Sequence, residues 1–113
     1  MKNFDRIRER YLKDPLPTRL AGLASTLSKV ASSAHRESGA DAVADLLEEG
    51  QYFIEWTAGE AEPETAAELV DIQVMLSLWR RAWNEARHSQ RQRSILSVQA
   101  KIWSDQVLYY AGF

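Results

Sequence analysis

Residues 16–34, LPTRLAGLASTLSKVASSA, place Leu16, Leu20, Leu23, Leu27, Val30 and Ala34 at alternating four- and three-residue steps. This spacing keeps returning to one side of an α-helix, and a seam of heptad type suits nearly antiparallel packing against a second helix. The segment, Pro17 to Arg36, follows Asp14-Pro15-Leu16-Pro17, where proline stops any preceding helix. It ends at Ser38-Gly39, glycine supplying the left-handed conformation that helix ends often take.

Upstream, Asn3 to Leu12 carries Phe4, Ile7, Tyr11 and Leu12 at helical spacing and reads as a short amino-terminal helical arm within residues 1–14. Downstream, Asp41 offers an N-cap or an acidic first turn to a third segment, Ala40 to Ala58, whose Val43, Leu46, Leu47, Gly50, Phe53, Ile54 and Thr57 share one face. Gly59-Glu60-Ala61-Glu62-Pro63 is the next break, and Pro63-Glu64 fits the start of a fourth helix reaching about Arg87. Here Leu69, Val70, Ile72, Val74, Met75, Leu76, Leu78, Trp79, Ala82 and Trp83 cover more than one face. A helix apolar nearly all round has to be covered on several sides, which predicts the central position for it. The last segment, Gln92 to Ala111, presents Ile95, Val98, Ile102 and Tyr109 as one stripe, with Leu96, Trp103, Val107 and Tyr110 beside it and Gly112 at its end. Nothing at His88-Ser89-Gln90 breaks a helix strongly, so the last two segments read equally as separate or continuous. No stretch alternates with period two. The expectation is an all-α fold, an antiparallel up-down four-helix bundle with a short amino-terminal helical arm, forming one domain over residues 1–113.

With 45% hydrophobic and 27% charged residues, the 113-residue chain has the profile of a soluble globular domain and not of a disordered or collagenous one. It contains no cysteine, which excludes a disulfide framework, a thiolate nucleophile and cysteine-based zinc or iron–sulfur centres. Met1 to Tyr11 is charged and has no apolar run behind it. That argues against a signal peptide or membrane span and makes the cytoplasm the expected location.

Charge is segregated along the chain. Met1–Arg36 carries +5, Glu37–Asp71 carries −11 without a single base, and Ile72–Phe113 carries +4. One reading sets acidic and basic helices side by side so that they neutralise one another. Another brings the acidic surface of one copy against the basic surface of a second. Arg80, Arg81, Arg87, Arg91 and Arg93 raise the question of nucleic acid, but an acidic chain with none of the usual recognition modules argues against it.

Three groups of residues are candidates for a site. Glu85-Ala86-Arg87-His88 has the Glu-x-x-His step of di-iron bundles, but His35 has Ser32 three residues before it and no second copy exists. His88 is therefore read as interacting with the negative end of a helix dipole. Glu48, Glu49, Glu64, Glu68 and Asp71 lie on consecutive helices of one hairpin, where converging carboxylates suit magnesium. Trp56, Trp79, Trp83 and Trp103 form an aromatic group, read mainly as core and in part as an association surface.

The pattern Leu47-Glu48-Glu49 followed by Glu68-Leu69-Val70-Asp71 and an apolar helix resembles the all-α nucleotide pyrophosphohydrolases. That resemblance implies a magnesium-dependent enzyme acting on a nucleotide, with Glu48, Glu49, Glu68 and Asp71 holding the metal. Tyr52 stands where the family's first helix has its third glutamate, and Gly50 follows the acidic pair. Over the whole chain, Asn3–Leu12, Phe53–Ala58 and Ile102–Leu108 resemble a group of small uncharacterised cyanobacterial proteins, which implies no activity.

The expected function is that of a non-enzymatic interaction or adaptor protein without cofactor, whose partner is protein, first of all a second copy as a homodimer. Trp56, Trp79, Arg80, Arg81, Trp83 and Arg87 are its expected contact residues, tryptophan and arginine being favoured anchors. The alternative is the magnesium-dependent, pyrophosphohydrolase-like protein.

Overall fold

In the computed structural model, which describes residues 3–112, the chain starts at a side-chain cap: the Asn3 amide oxygen accepts the Arg6 backbone N–H at 3.2 Å. Helix α1 then spans Phe4–Leu12, and α2, with prolines at its first turn, spans Leu16–His35. A 3₁₀ turn, Glu37–Gly39, leads into α3, Ala40–Thr57, and a second, Ala58–Glu60, precedes α4, Pro63–Ala86. The last helix, α5, spans Gln90–Ala111 and stops at Gly112, whose φ of 92° is the left-handed cap conformation. The described residues contain no strand, and no helix among them is long and apolar enough to cross a membrane. A radius of gyration of 13.5 Å is close to the ~13 Å of a folded chain of 100 residues.

The α2 seam is buried as its spacing predicts: Leu20, Leu23, Leu27, Val30 and Ala34 all lie inside, with Val43, Leu47 and Ile54 of α3 and Leu96, Ala100 and Val107 of α5. Helix α2 packs against both α3 and α5, so the central place belongs to α2 and not to α4, which packs mainly on α3. The apolar excess of α4 divides instead. Leu69, Ile72, Leu76 and Trp83 face the core, while Val70, Val74 and Leu78 point outward at 43, 53 and 49% exposure. Periodicity reports how much apolar surface a helix has, but not whether the same chain covers it. Helix α5 behaves in the same way: Leu96, Ala100 and Val107 are inside, and the stripe of Ile95, Val98, Ile102 and Tyr109 is outside.

Helices α2 and α5 approach closely enough for short side chains to reach backbone across the contact. Ser97 Oγ donates to the Ala31 carbonyl and Ser104 Oγ to the Ala24 carbonyl, both at 2.8 Å. As α5 advances by seven residues, its partner on α2 recedes by seven. The break between α4 and α5 comes from Ser89, whose hydroxyl accepts the Gln92 N–H at 3.2 Å as an N-cap. Buried Arg93 secures the turn by donating through Nη1 to the Arg87 carbonyl at 2.8 Å.

Gly39 is needed for space and not for a left-handed conformation, since its φ is −90°. A Cβ there would lie 2.3 Å from the Ser33 carbonyl oxygen and 2.9 Å from Ser33 Cα. Backbone cannot yield as a side chain can. Gly39→Ala is therefore expected to lower stability in chemical denaturation by about 1–3 kcal/mol, while Gly59→Ala, which meets nothing within 4 Å, stays within about 0.5 kcal/mol of the parent. Equal stability of the two variants would refute the assignment.

Candidate functional site

The six expected contact residues do not share one surface. Trp83 is fully buried, its indole N–H donating to the Ala40 carbonyl at 2.9 Å, so it ties α4 to the start of α3 and is closed to a partner. Trp79 is half-buried and donates to Gln99 Oε1 at 3.0 Å, joining α4 to α5. Trp56 belongs to an aromatic group that holds α1 on α3: Phe4 and Tyr52 are 4.3 Å apart, Tyr11 stacks on Phe53 at 4.2 Å, and Trp56 lies 5.5 Å from Tyr52. Arg80 pairs with Glu48 and Arg87 with Asp41, so the basic end of α4 neutralises part of acidic α3. Such exposed pairs contribute about 0.2–1 kcal/mol each. Arg81 is exposed and has no ionic partner among the described residues.

Nor are the four carboxylates brought together. Glu48 is engaged by Arg80, and Glu49 borders a cleft of about 550 Å³ between α3 and the Arg6 and Arg10 side of α1. Glu68 accepts from Gln106 Nε2 at 3.1 Å on α5, and Asp71 is exposed. Twelve residues separate Glu68 from Arg80, the partner of Glu48, a rise of about 18 Å along the α4 axis. Among the described residues no three acidic or histidine side chains are arranged to hold a metal ion. His88, exposed in the turn after α4, donates its backbone N–H to the Glu85 carbonyl at 3.2 Å.

Two features escaped sequence reasoning. The first is a polar latch at the foot of α2. Arg19, only 5% exposed, grips both carboxylate oxygens of Glu60 at 2.7 and 2.9 Å and donates through Nε to the Asp14 carbonyl at 3.1 Å. Beside it, the Tyr11 hydroxyl donates to the Arg19 carbonyl and shares a hydrogen bond with Thr57 Oγ1, each 2.9 Å long. The available signal was Arg19 standing three residues after Leu16 and four before Leu23, within the apolar seam. The guanidinium holds the Glu60 carboxyl below its usual range through the hydrogen bond and charge, and burial pushes the Tyr11 phenol up to about 12.

The second feature is the outward apolar surface. At 100° per residue, Val70, Val74 and Leu78 fall within about 80° of arc on α4, and Ile95, Val98, Ile102 and Tyr109 within about 60° on α5. The Trp79–Gln99 and Glu68–Gln106 hydrogen bonds make α4 and α5 antiparallel neighbours and set their register to within about one turn. Beside Val98 and Ile102, a shallow groove of about 670 Å³ runs to Ser28, Ser32 and His35 of α2. No family model, curated protein or solved structure matches the chain.

The latch generates two pH effects of opposite sense. Glu60 has its pKa lowered by folding, so its contribution is present above the unfolded carboxylate pKa and is lost as pH falls through the folded one. Tyr11 is raised from 10.0 to about 12, so its contribution is complete below pH 10 and is lost as pH rises to about 12. That interval corresponds to about 3 kcal/mol. Denaturant unfolding should show Glu60→Gln flattening the acid limb and Tyr11→Phe the alkaline limb. Tyr11→Phe should also lose about 1–3 kcal/mol at neutral pH by stripping partners from Thr57 and Arg19. Parallel pH profiles for parent and variants would contradict the latch.

Proposed function

We propose that the protein is a non-enzymatic association module: an antiparallel up-down four-helix bundle of α2 to α5, with α1 as an arm, that acts by binding protein and first of all a second copy of itself. The paired residues support the helix directions. Ser97 and Ser104 run against Ala31 and Ala24, Glu48 and Asp41 against Arg80 and Arg87, and Trp79 and Glu68 against Gln99 and Gln106.

One observation carries the functional reading. Val70, Val74, Leu78, Ile95, Val98, Ile102 and Tyr109 are between 37 and 76% exposed, and all seven lie on two neighbouring helices. Scattered apolar residues on a surface need no explanation, whereas a concentration of this kind marks a contact surface. Its composition, branched aliphatic side chains and one tyrosine without a convergent polar constellation, fits packing against another protein better than catalysis.

Sedimentation velocity over a range from low to high micromolar is expected to show a concentration-dependent monomer–dimer equilibrium. Leu78→Glu, which puts a charge on an exposed position, is expected to move it to monomer with unchanged helical circular dichroism. A parent protein that stays monomeric at high micromolar concentration would refute self-association.

A further inference from the structure

Resting on that self-association reading, we infer that the second copy docks on the face shared by α4 and α5, about a two-fold axis crossing the helices at the level of Leu76 and Ala100. The register between the two helices comes from two contacts. Trp79 meets Gln99 at one end and Glu68 meets Gln106 at the other, and the mean of these two antiparallel registers sets Leu76 level with Ala100.

From Leu76 the exposed side chains of α4 mirror one another along the chain. Val74 and Leu78 stand two residues away on either side, and Asp71 and Arg81 stand five away. A two-fold axis perpendicular to the helix exchanges these positions. Val74 then faces Leu78 of the partner subunit, and Asp71 faces Arg81 of the partner subunit. Apolar meets apolar and acid meets base, each contact occurring twice. Ala67 and Glu85, nine residues out, bring no like charges together.

The same axis, crossing α5 at Ala100, sets Val98 against Ile102 of the partner subunit. It also sets Arg91 against Tyr109 of the partner subunit, a cation beside an aromatic ring. Asp105 falls opposite Ile95 of the partner subunit, with its charge held by Lys101 one turn away at 2.9 Å. Two stripes on two helices thus become self-complementary about one axis. Contacts of this isologous kind close at two copies. Arg80 and Arg87 are already engaged by α3, whereas Arg81 and Asp71 have no ionic partner within the described chain. The occupant of this face is therefore argued from charge as well as apolar surface: the acidic start of one α4 fits the basic end of another.

The test is a charge exchange read by sedimentation. Asp71→Arg and Arg81→Asp, each alone, place like charges across the axis and are expected to raise the dimer dissociation constant roughly tenfold or more. An equimolar mixture of the two variants restores both pairs and is expected to return within about threefold of the parent. A mixture of Val74→Cys and Leu78→Cys chains, which have no other cysteine, should form a disulfide-linked dimer, and Ala42→Cys on α3 should not. If the parent dimerises but neither the exchange nor the cross-link behaves in this way, the face is overturned and self-association stands. If the parent is monomeric throughout, both fall.

Discussion

Close approach of α5 to α2 is the constraint on which the remaining packing depends. It requires small side chains at the contact, Ala24 and Ala31 on one helix and Ala100 on the other, and it lets Ser97 and Ser104 reach backbone carbonyls across the interface. Each serine hydroxyl finds a partner without disturbing the helical ladder, because a carbonyl oxygen has a second lone pair. With α2 held on one side by α5 and on the other by α3, its leucine seam is filled. Helix α4 is left to close the core from beyond α3, with one flank on the core and the other outside.

Electrostatics follow from the same arrangement. Acidic α3 lies between the foot of α2 and the basic half of α4, so its carboxylates are distributed: Asp41 and Glu48 go to arginines of α4, while Glu60, just past α3, goes to Arg19. Neutralisation between neighbouring helices and the proposed attraction between copies therefore use different residues. The first uses Arg80 and Arg87, and Asp71 and Arg81 on the outward side of α4 are left for the second. A single helical step makes this division, since Arg80 turns toward α3 and Arg81, 100° further on, turns away.

Much of the fold was legible in the chain. The α2 seam, the proline breaks after Asp14 and Glu62, and the glycine end at Gly112 all act as their chemistry predicts. What was illegible shares one cause: a sequence shows which faces are apolar but not which neighbour covers them. On α5 two adjacent stripes had equal claims, and the one containing Leu96 and Val107 took the core. On α4 the outward valines looked like evidence of centrality. Ser89 was hidden because a lone serine in a polar stretch acts as a cap only when the chain turns there. Trp83 fits the core reading of the tryptophans and not its place among the expected contact residues, because it stands 200° round the helix from exposed Arg81.

The central claim, that two copies meet across the α4–α5 face, is tested most directly by spin-label distances within the dimer. A single label at Ala82→Cys or at Ala67→Cys is specific because the chain has no cysteine of its own. Across an axis at Leu76 the two labels at position 82 are separated by about 18 Å along the helix, and those at position 67 by about 27 Å. The account predicts a dimeric signal at both sites with the shorter distance at position 82. A reversed order, or distances at both sites well beyond these, would contradict it.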